Sequence, residues 1–193
     1  MGTKVNIKTV LSGFFAGFSF RQKVENDPQG DLHVIQMKDL AYNYSNISMN
    51  VTKIKSDKIS SKNFLHKGDV LLITKGANNY AVEYKHDFEK AVGSSAFYVL
   101  RPNKKKIKPS YLTWYINQSP VQQHFKANMA GTYIPNINKR TIEEIVVALP
   151  SMEIQEMIVG FDDLRKQEFV LMTELIEKRK VFTAAALLDI VNK

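Results

Sequence analysis

The sequence predicts an α+β fold: a mixed α/β domain with a curved β-sheet over residues 1–150, followed by one long C-terminal helix over residues 151–193. Three observations carry this. Apolar runs of strand length, separated by Gly- and Asn-bearing turns, recur between Val34 and Leu100. At Pro109 the apolar period lengthens from two to that of a helix. Beyond Pro150 there is no further proline and a single glycine, Gly160, while apolar residues recur at heptad-like steps.

The weakly apolar stretch Val10–Phe20 is interrupted by Ser and Gly and lacks a small-residue cleavage site, so it is not read as a signal peptide. Within it, Gly13 to Gly17 (SGFFAG) reads as a tight turn, because a phosphate loop needs a following Lys and a preceding strong strand. Asp27-Pro28-Gln29-Gly30 reads as a β-turn. His33–Met37 is a short strand, and Ile47–Thr52 alternates with period two. Lys67-Gly68-Asp69 is a turn before Val70–Thr74, whose unbroken apolar run marks a strand buried on both faces. Lys75–Asn79 turns the chain into a strand at Tyr80–Val82, and Ala96–Leu100 is a further strand closed by Arg101-Pro102-Asn103.

A helix then starts with Ser110 as N-cap and runs through Tyr111, Leu112, Trp114, Tyr115 and Ile116. Ser119-Pro120 restarts it, with Ser at the N-cap and Pro at the first helical position, and it continues to about Met129. After the polar turn Ala130–Asn136, Ile145–Leu149 is the last strand and Pro150 ends it. A hinge at Pro150-Ser151 divides the chain. Past it Ile154, Met157, Phe161, Leu164, Leu171, Leu175, Phe182 and Ala185 form a seam, with Glu168 and Lys178 occupying two of its positions. A helix of about 40 residues is about 60 Å long, twice the diameter of a small domain. Its seam is therefore expected to meet another polypeptide.

With 193 residues and 44% apolar content the chain has material for one sizeable core. Residues 1–150 carry 21 Lys and Arg against 11 Asp and Glu, a net of +10, whereas residues 151–193 carry 6 against 8, a net of −2. The positive field belongs to the body, which suggests a polyanionic partner. The absence of cysteine excludes disulfides, thiolate catalysis and cysteine-based zinc sites. Four histidines (33, 66, 86 and 124) stand alone without metal-ligand spacing, so no metal is expected. No cofactor is expected either, since the glycine-rich loop and Asn/Asp-Pro-Pro-aromatic motif of a methyltransferase are missing. No run approaches the roughly 20 apolar residues of a membrane span. The expected location is cytoplasmic, with the Asn-x-Ser/Thr matches at Asn46, Asn50 and Asn117 arising by chance.

One catalytic alternative stays open. Asp69 with Glu83-Tyr84-Lys85 matches the loose Asp…Glu-x-Lys spacing of Mg²⁺-dependent nucleases. Another is a coiled-coil adaptor whose basic charge is incidental. Against these stand the polar loops. Lys75, Asn78, Asn79 and Tyr80 combine a cation, two amides and an aromatic, and Thr132, Tyr133, Asn136, Asn138, Lys139 and Arg140 repeat the mixture. Lys38 flanks a strand, and Lys105 lies in the run Lys104-Lys105-Lys106 before a helix. Asn pairs with adenine and Arg or Lys with guanine, so these residues are the candidate DNA contacts. Turns also favour Gly and Asn for backbone reasons alone.

Taken in order, SGFFAGFSFR, VIQMKDL, LHKGDVLLITKG, SSAFYVLRP, IKPSYLTWYINQS and MAGTYIPNINKRTIEEIVVALPSMEIQEMIV resemble the specificity subunit of type I restriction–modification enzymes along the whole chain. The resemblance implies a mixed α/β target-recognition domain that reads half of a bipartite site in double-stranded DNA. It also implies a long helix that serves as a spacer and docks the methyltransferase subunits. Such a subunit catalyses nothing; S-adenosylmethionine-dependent methylation and ATP-driven restriction belong to the modification and restriction partners. The usual member has two recognition domains and two antiparallel helices, whereas this chain has one of each. It is therefore expected to act as a half-subunit that pairs its helix with a second copy about a two-fold axis, the alternative being a truncation of a longer chain.

Overall fold

A computed structural model describes residues 2–41, 46–56, 59–76, 78–129 and 136–192. Its elements form two compact units, Met1–Gln155 and Glu156–Lys193.

The first unit is built on a four-stranded antiparallel sheet of β2 (Leu11–Ala16), β8 (Phe97–Pro102), β5 (Val70–Ile73) and β6 (Ala81–Glu83), in the order β2-β8-β5-β6. Strand β5 is buried at every position. That is why its sequence is continuously apolar rather than alternating. Leu71 and Ile73 point to one face, where they join Val82, Phe97 and Val99 with Ile35, Ile47, Val51, Leu65 and Ala91 in a common core. The layer beyond that face contains a three-stranded sheet in the order β4 (Thr52–Ile54), β3 (Leu32–Ile35), β7 (Ala91–Gly93); β3 runs antiparallel to β4 and parallel to β7. The other face is packed by α1 (Pro109–Ile116), which lies against β5 and β6. Next come α2 (Ser119–Met129) and the short α3 (Lys139–Glu143). A separate two-stranded ribbon joins β1 (Thr3–Asn6) to β9 (Val146–Leu149), with Val5 opposite Val147.

Several local expectations need correction. Gly13–Gly17 is not a tight turn but lies along β2 and its end, paired with β8 from Leu11↔Pro102 to Ala16↔Tyr98. The glycines have other uses there: a register shift falls between Leu11 and Gly13, and a Cβ on Gly17 would lie 2.0 Å from the Ser94 carbonyl oxygen. Ser110 does not cap α1; the cap position is Lys108 and Pro109 opens the helix, where a missing N–H costs nothing. Ser119 is the first residue of α2 rather than the residue before it. The strand expected at Ile47–Thr52 is reduced to an isolated Leu40↔Ile47 bridge and the later β4. Asp27–Gly30 does turn, with the Gly30 N–H donating to the Asp27 carbonyl, and Gly68 holds φ +94° in the turn before β5.

Tyr111 on α1 ties the helical layer to the β1–β9 ribbon by donating its hydroxyl to the Ala148 carbonyl at 2.7 Å. Burial first, then neighbouring Tyr115, pushes its pKa up to about 12. The folded state therefore keeps the phenol proton where an unfolded chain, with a tyrosine pKa near 10, releases it. The associated stability is complete below pH 10 and is lost as pH rises from 10 towards 12. Tyr111→Phe is expected to cost about 1 kcal/mol at pH 7 for the lost hydrogen bond and to flatten the alkaline decline. Urea unfolding at pH 7 and pH 10.5 checks both.

Candidate nucleic-acid interface

The β5–β6 hairpin is braced by side-chain hydrogen bonds. Gly76 turns it with φ +88°. Asn79 is 1% exposed and its amide donates to the carbonyls of Ile73 and Gly76, so this side chain braces the turn from inside and does not face solvent. From the helical layer, Asn117 both accepts from the Ala81 N–H and donates to the Ala81 carbonyl, as a neighbouring strand would. Gln122 reaches the Asn79 carbonyl. On this frame Lys75 and Asn78 are exposed and Tyr80 is half-buried.

The described part of the second polar cluster, from Asn136 onward, meets the first. Lys75 and Asn136 form an isolated antiparallel bridge, and the Ile137 N–H donates to the Thr74 carbonyl at 2.9 Å. Ile137 itself is buried and anchors the junction. Lys75 and Asn136, 61 residues apart in sequence, are thus brought together at one junction. Asn138 is exposed but already employed: its side chain accepts from the Thr141 N–H as the N-cap of α3. An Asn followed by Lys, Arg, Thr, Ile and Glu was a readable cap signal for that helix. The same cap presents Lys139 and Arg140 from the first turn. Arg140 is 88% exposed with Glu144 as its ion-pair partner. Lys139 Nζ lies 3.7 Å from Glu143 and 5.3 Å from the centre of the Phe14 ring. Exposed pairs of this kind hold a cation loosely, leaving it available to a phosphate. Thr132 and Tyr133 fall outside the described residues.

Lys38 and Lys105 are separate cases. Lys38 Nζ donates to Thr52 on β4. In the lysine run, Lys104 and Lys106 are spent on the carbonyls of Lys67 and Thr9, whereas Lys105 is exposed and its side chain has no partner among the described residues. Composition did not single out Phe14 and Ser95, which meet Lys139 and Lys75, or Tyr98, which meets Phe14.

Asp69, the centre of the nuclease alternative, has another task. It is 1% exposed and receives Arg101 through two hydrogen bonds of 2.8 and 2.7 Å, plus the His66 N–H at 2.8 Å. Arg101 also donates to the Phe64 carbonyl and stacks on Phe15. A carboxylate saturated by a guanidinium is a poor metal ligand, while Lys85 pairs with Glu83 at the surface. Among the described residues no cluster of carboxylates and histidines could hold a metal. No helix there is long and apolar enough to cross a membrane.

The last element, α4 (Met152–Val191), is 40 residues long. Its first turn belongs to the first unit, where Gln155 is fully buried. Among the described residues of the second unit, Glu156–Val191 is this helix. The seam residues Ile154, Met157, Phe161, Leu164, Leu171, Leu175 and Phe182 are between 46% and 75% exposed. The sequence reading missed a second row beside the seam: Phe169, Met172 and Ile176 are exposed too. Together the two rows make a stripe wider than a two-helix seam.

Residues 4–178 match the family described as the type I restriction modification DNA specificity domain. No curated protein matches the sequence. Among solved structures, the HsdS subunit from Thermoanaerobacter tengcongensis is similar with a TM-score of 0.67 and 16% identity over 90% of this chain and 44% of that one. A chain from a study of complex assembly and conformational transition of the type I R-M system gives 0.69 and 16% over 93% and 46%. The S subunit of a type I restriction-modification system from M. genitalium gives 0.59 and 15% over 92% and 42%. The fold is shared, and this chain spans less than half the length of each.

Proposed function

Because the chain belongs to the type I restriction modification DNA specificity domain family, we propose that it is a non-catalytic reader of double-stranded DNA that recognises half of a bipartite site in the cytoplasm. The observation that carries this reading is the Lys75–Asn136 junction, which brings two cation- and amide-bearing segments together on the surface of a body with a net charge of +10 over residues 1–150. In this reading Lys75, Lys139, Arg140 and Lys105 serve the phosphates, while Asn78, Tyr80 and Asn136 read base edges. Lys38 is a weaker phosphate candidate because Thr52 already engages it. Asn79 and Asn138 position this surface rather than touch DNA. Thr132 and Tyr133 keep their place in the proposal on sequence grounds.

In the same reading α4 docks protein. Its seam pairs with a second copy in a two-fold antiparallel arrangement, and the row Phe169, Met172 and Ile176 faces the methyltransferase subunits. The width of the apolar stripe supports more than one partner. A two-fold dimer places two identical readers on the two halves of the site.

One experiment tests both parts. Lys75→Ala with Lys139→Ala and Arg140→Ala is expected to weaken duplex binding about 10- to 100-fold and to lower the slope of log affinity against log salt by roughly 2 to 3. Leu171→Glu with Leu175→Glu is expected to halve the solution mass while leaving that slope per protomer unchanged. Unaltered affinity and slope in the first variant would remove the DNA-reading surface. A wild-type chain that is monomeric both alone and with the methyltransferase subunit would remove the dimer.

A further inference from the structure

The sheet face beside the Lys75–Asn136 junction carries an aromatic pair whose position suggests a use. Phe14 on β2 and Tyr98 on β8 lie with ring centres 5.3 Å apart and planes tilted by 55°. Both are half-buried. They share a face because Ala16, two residues beyond Phe14, is the register partner of Tyr98. Ala16 is exposed and offers a single methyl, so it does not cover the Tyr98 ring. Strand β2 is the edge of the four-stranded sheet. Two of the cations assigned above lie nearby: Lys139 is 5.3 Å from the Phe14 ring centre, and Lys75 reaches Ser95, three residues before Tyr98, at 3.4 Å.

An apolar patch on a soluble domain needs no explanation when it stands alone. Here one cation, Lys139, lies over the Phe14 ring, and a second, Lys75, reaches the turn before β8. A duplex whose phosphates meet those cations would bring base edges over the rings. The chemistry that fits aromatic rings on a base edge is the thymine C5-methyl, the one apolar group in the major-groove pattern.

We propose that Phe14 and Tyr98 form the apolar base-edge reader of this domain, selecting thymine by its C5-methyl beside the phosphate contacts of Lys139 and Lys75. This rests on the DNA-reading function proposed above and goes beyond it by naming the chemical group read and the residues that read it.

The test uses the full chain and duplexes selected by it from a randomised pool, in which each thymine is replaced in turn by deoxyuracil so that only the methyl is removed. At one position or more, the replacement is expected to weaken wild-type binding about 4-fold, the worth of one buried methyl. Phe14→Ala is expected to bind thymine and uracil duplexes equally at that position while keeping the wild-type salt slope. Tyr98→Phe keeps the ring and is expected to keep the discrimination, whereas Tyr98→Ala loses it. Should Phe14→Ala fail to fold, Phe14→Leu with Tyr98→Leu takes its place and is expected to reduce the discrimination in the same way. Discrimination that survives in Phe14→Ala and Tyr98→Ala, or wild-type binding indifferent to every thymine methyl, overturns the assignment while leaving DNA reading in place. A chain that selects no duplex overturns both.

Discussion

Replacing Asp69 by alanine will lower the unfolding free energy by about 3 kcal/mol, the lower end of the range for breaking a buried ion pair by removing one partner. The loss follows from what remains. Arg101 is drawn into the domain by two hydrogen bonds to Asp69 and one to the Phe64 carbonyl, with its side chain 24% exposed. Without the carboxylate the guanidinium keeps one carbonyl partner and partial hydration, so its charge is poorly compensated; that residual hydration is why the low end applies. The His66 N–H loses its acceptor as well. Removing both charges is less harmful than removing one: Asp69→Leu with Arg101→Met should recover part of the loss, because an apolar pair leaves no stranded charge. Urea unfolding of the three proteins measures this. The same variant addresses catalysis. If Asp69→Ala were as stable as the parent yet abolished a Mg²⁺-dependent DNA cleavage, the nuclease alternative would return and the structural role given to Asp69 here would fall.

The second large effect is expected at Gln155. Of the 40 residues of α4 it is the buried one. Its Oε1 accepts from the Lys108 N–H at 2.9 Å, and its Nε2 donates to the carbonyls of Lys106 and Pro150 at 3.3 and 3.0 Å. Lys108 is the N-cap position of α1, so one amide satisfies an orphan donor there and two carbonyls around it. Gln155→Leu fills the same space and strands all three groups, which should cost about 3 kcal/mol. Gln155→Glu separates hydrogen bonding from packing. The carboxylate can still accept from Lys108 but faces two carbonyl oxygens, so burial must raise its pKa and favour the protonated form. That variant should be destabilised at pH 7 and regain stability as pH falls, since its folded state holds a proton the unfolded chain has released. A Gln155→Glu protein with no such acid-side recovery would show that the clasp is not formed as described. Hydrogen exchange at the Lys108 amide gives an independent readout.

How much of this was legible beforehand varies by residue. Val70–Ile73 declared itself because a strand buried on both faces must be apolar throughout. Gly68 marked its turn because its backbone needs φ +94°. The long terminal helix followed from its period and from the lack of proline. Strand β2 was hidden for the opposite reason: SGFFAG spends its glycines on a register shift and a close backbone approach, which erases the alternation that signals a strand. The short β1 exists because β9, 140 residues or more away, offers it a partner. Of the candidate site, the residue types were visible as two polar clusters and a lysine run. Their union was not, nor were the bracing of Asn79 and the capping of Asn138.

By itself, then, the sequence determined what local periodicity, backbone stereochemistry and charge content can encode: the α+β class, the buried central strand, the long helix with its apolar seam, and a basic body attached to a mildly acidic tail. The tertiary structure alone decided which distant groups meet. It placed Arg101 on Asp69 rather than leaving a carboxylate for a metal, joined Lys75 to Asn136, and set Phe14 beside Tyr98 and Lys139. Such pairings have no local signature, because a hydrogen bond or ring contact depends on where the chain returns in space and not on the residues next to it.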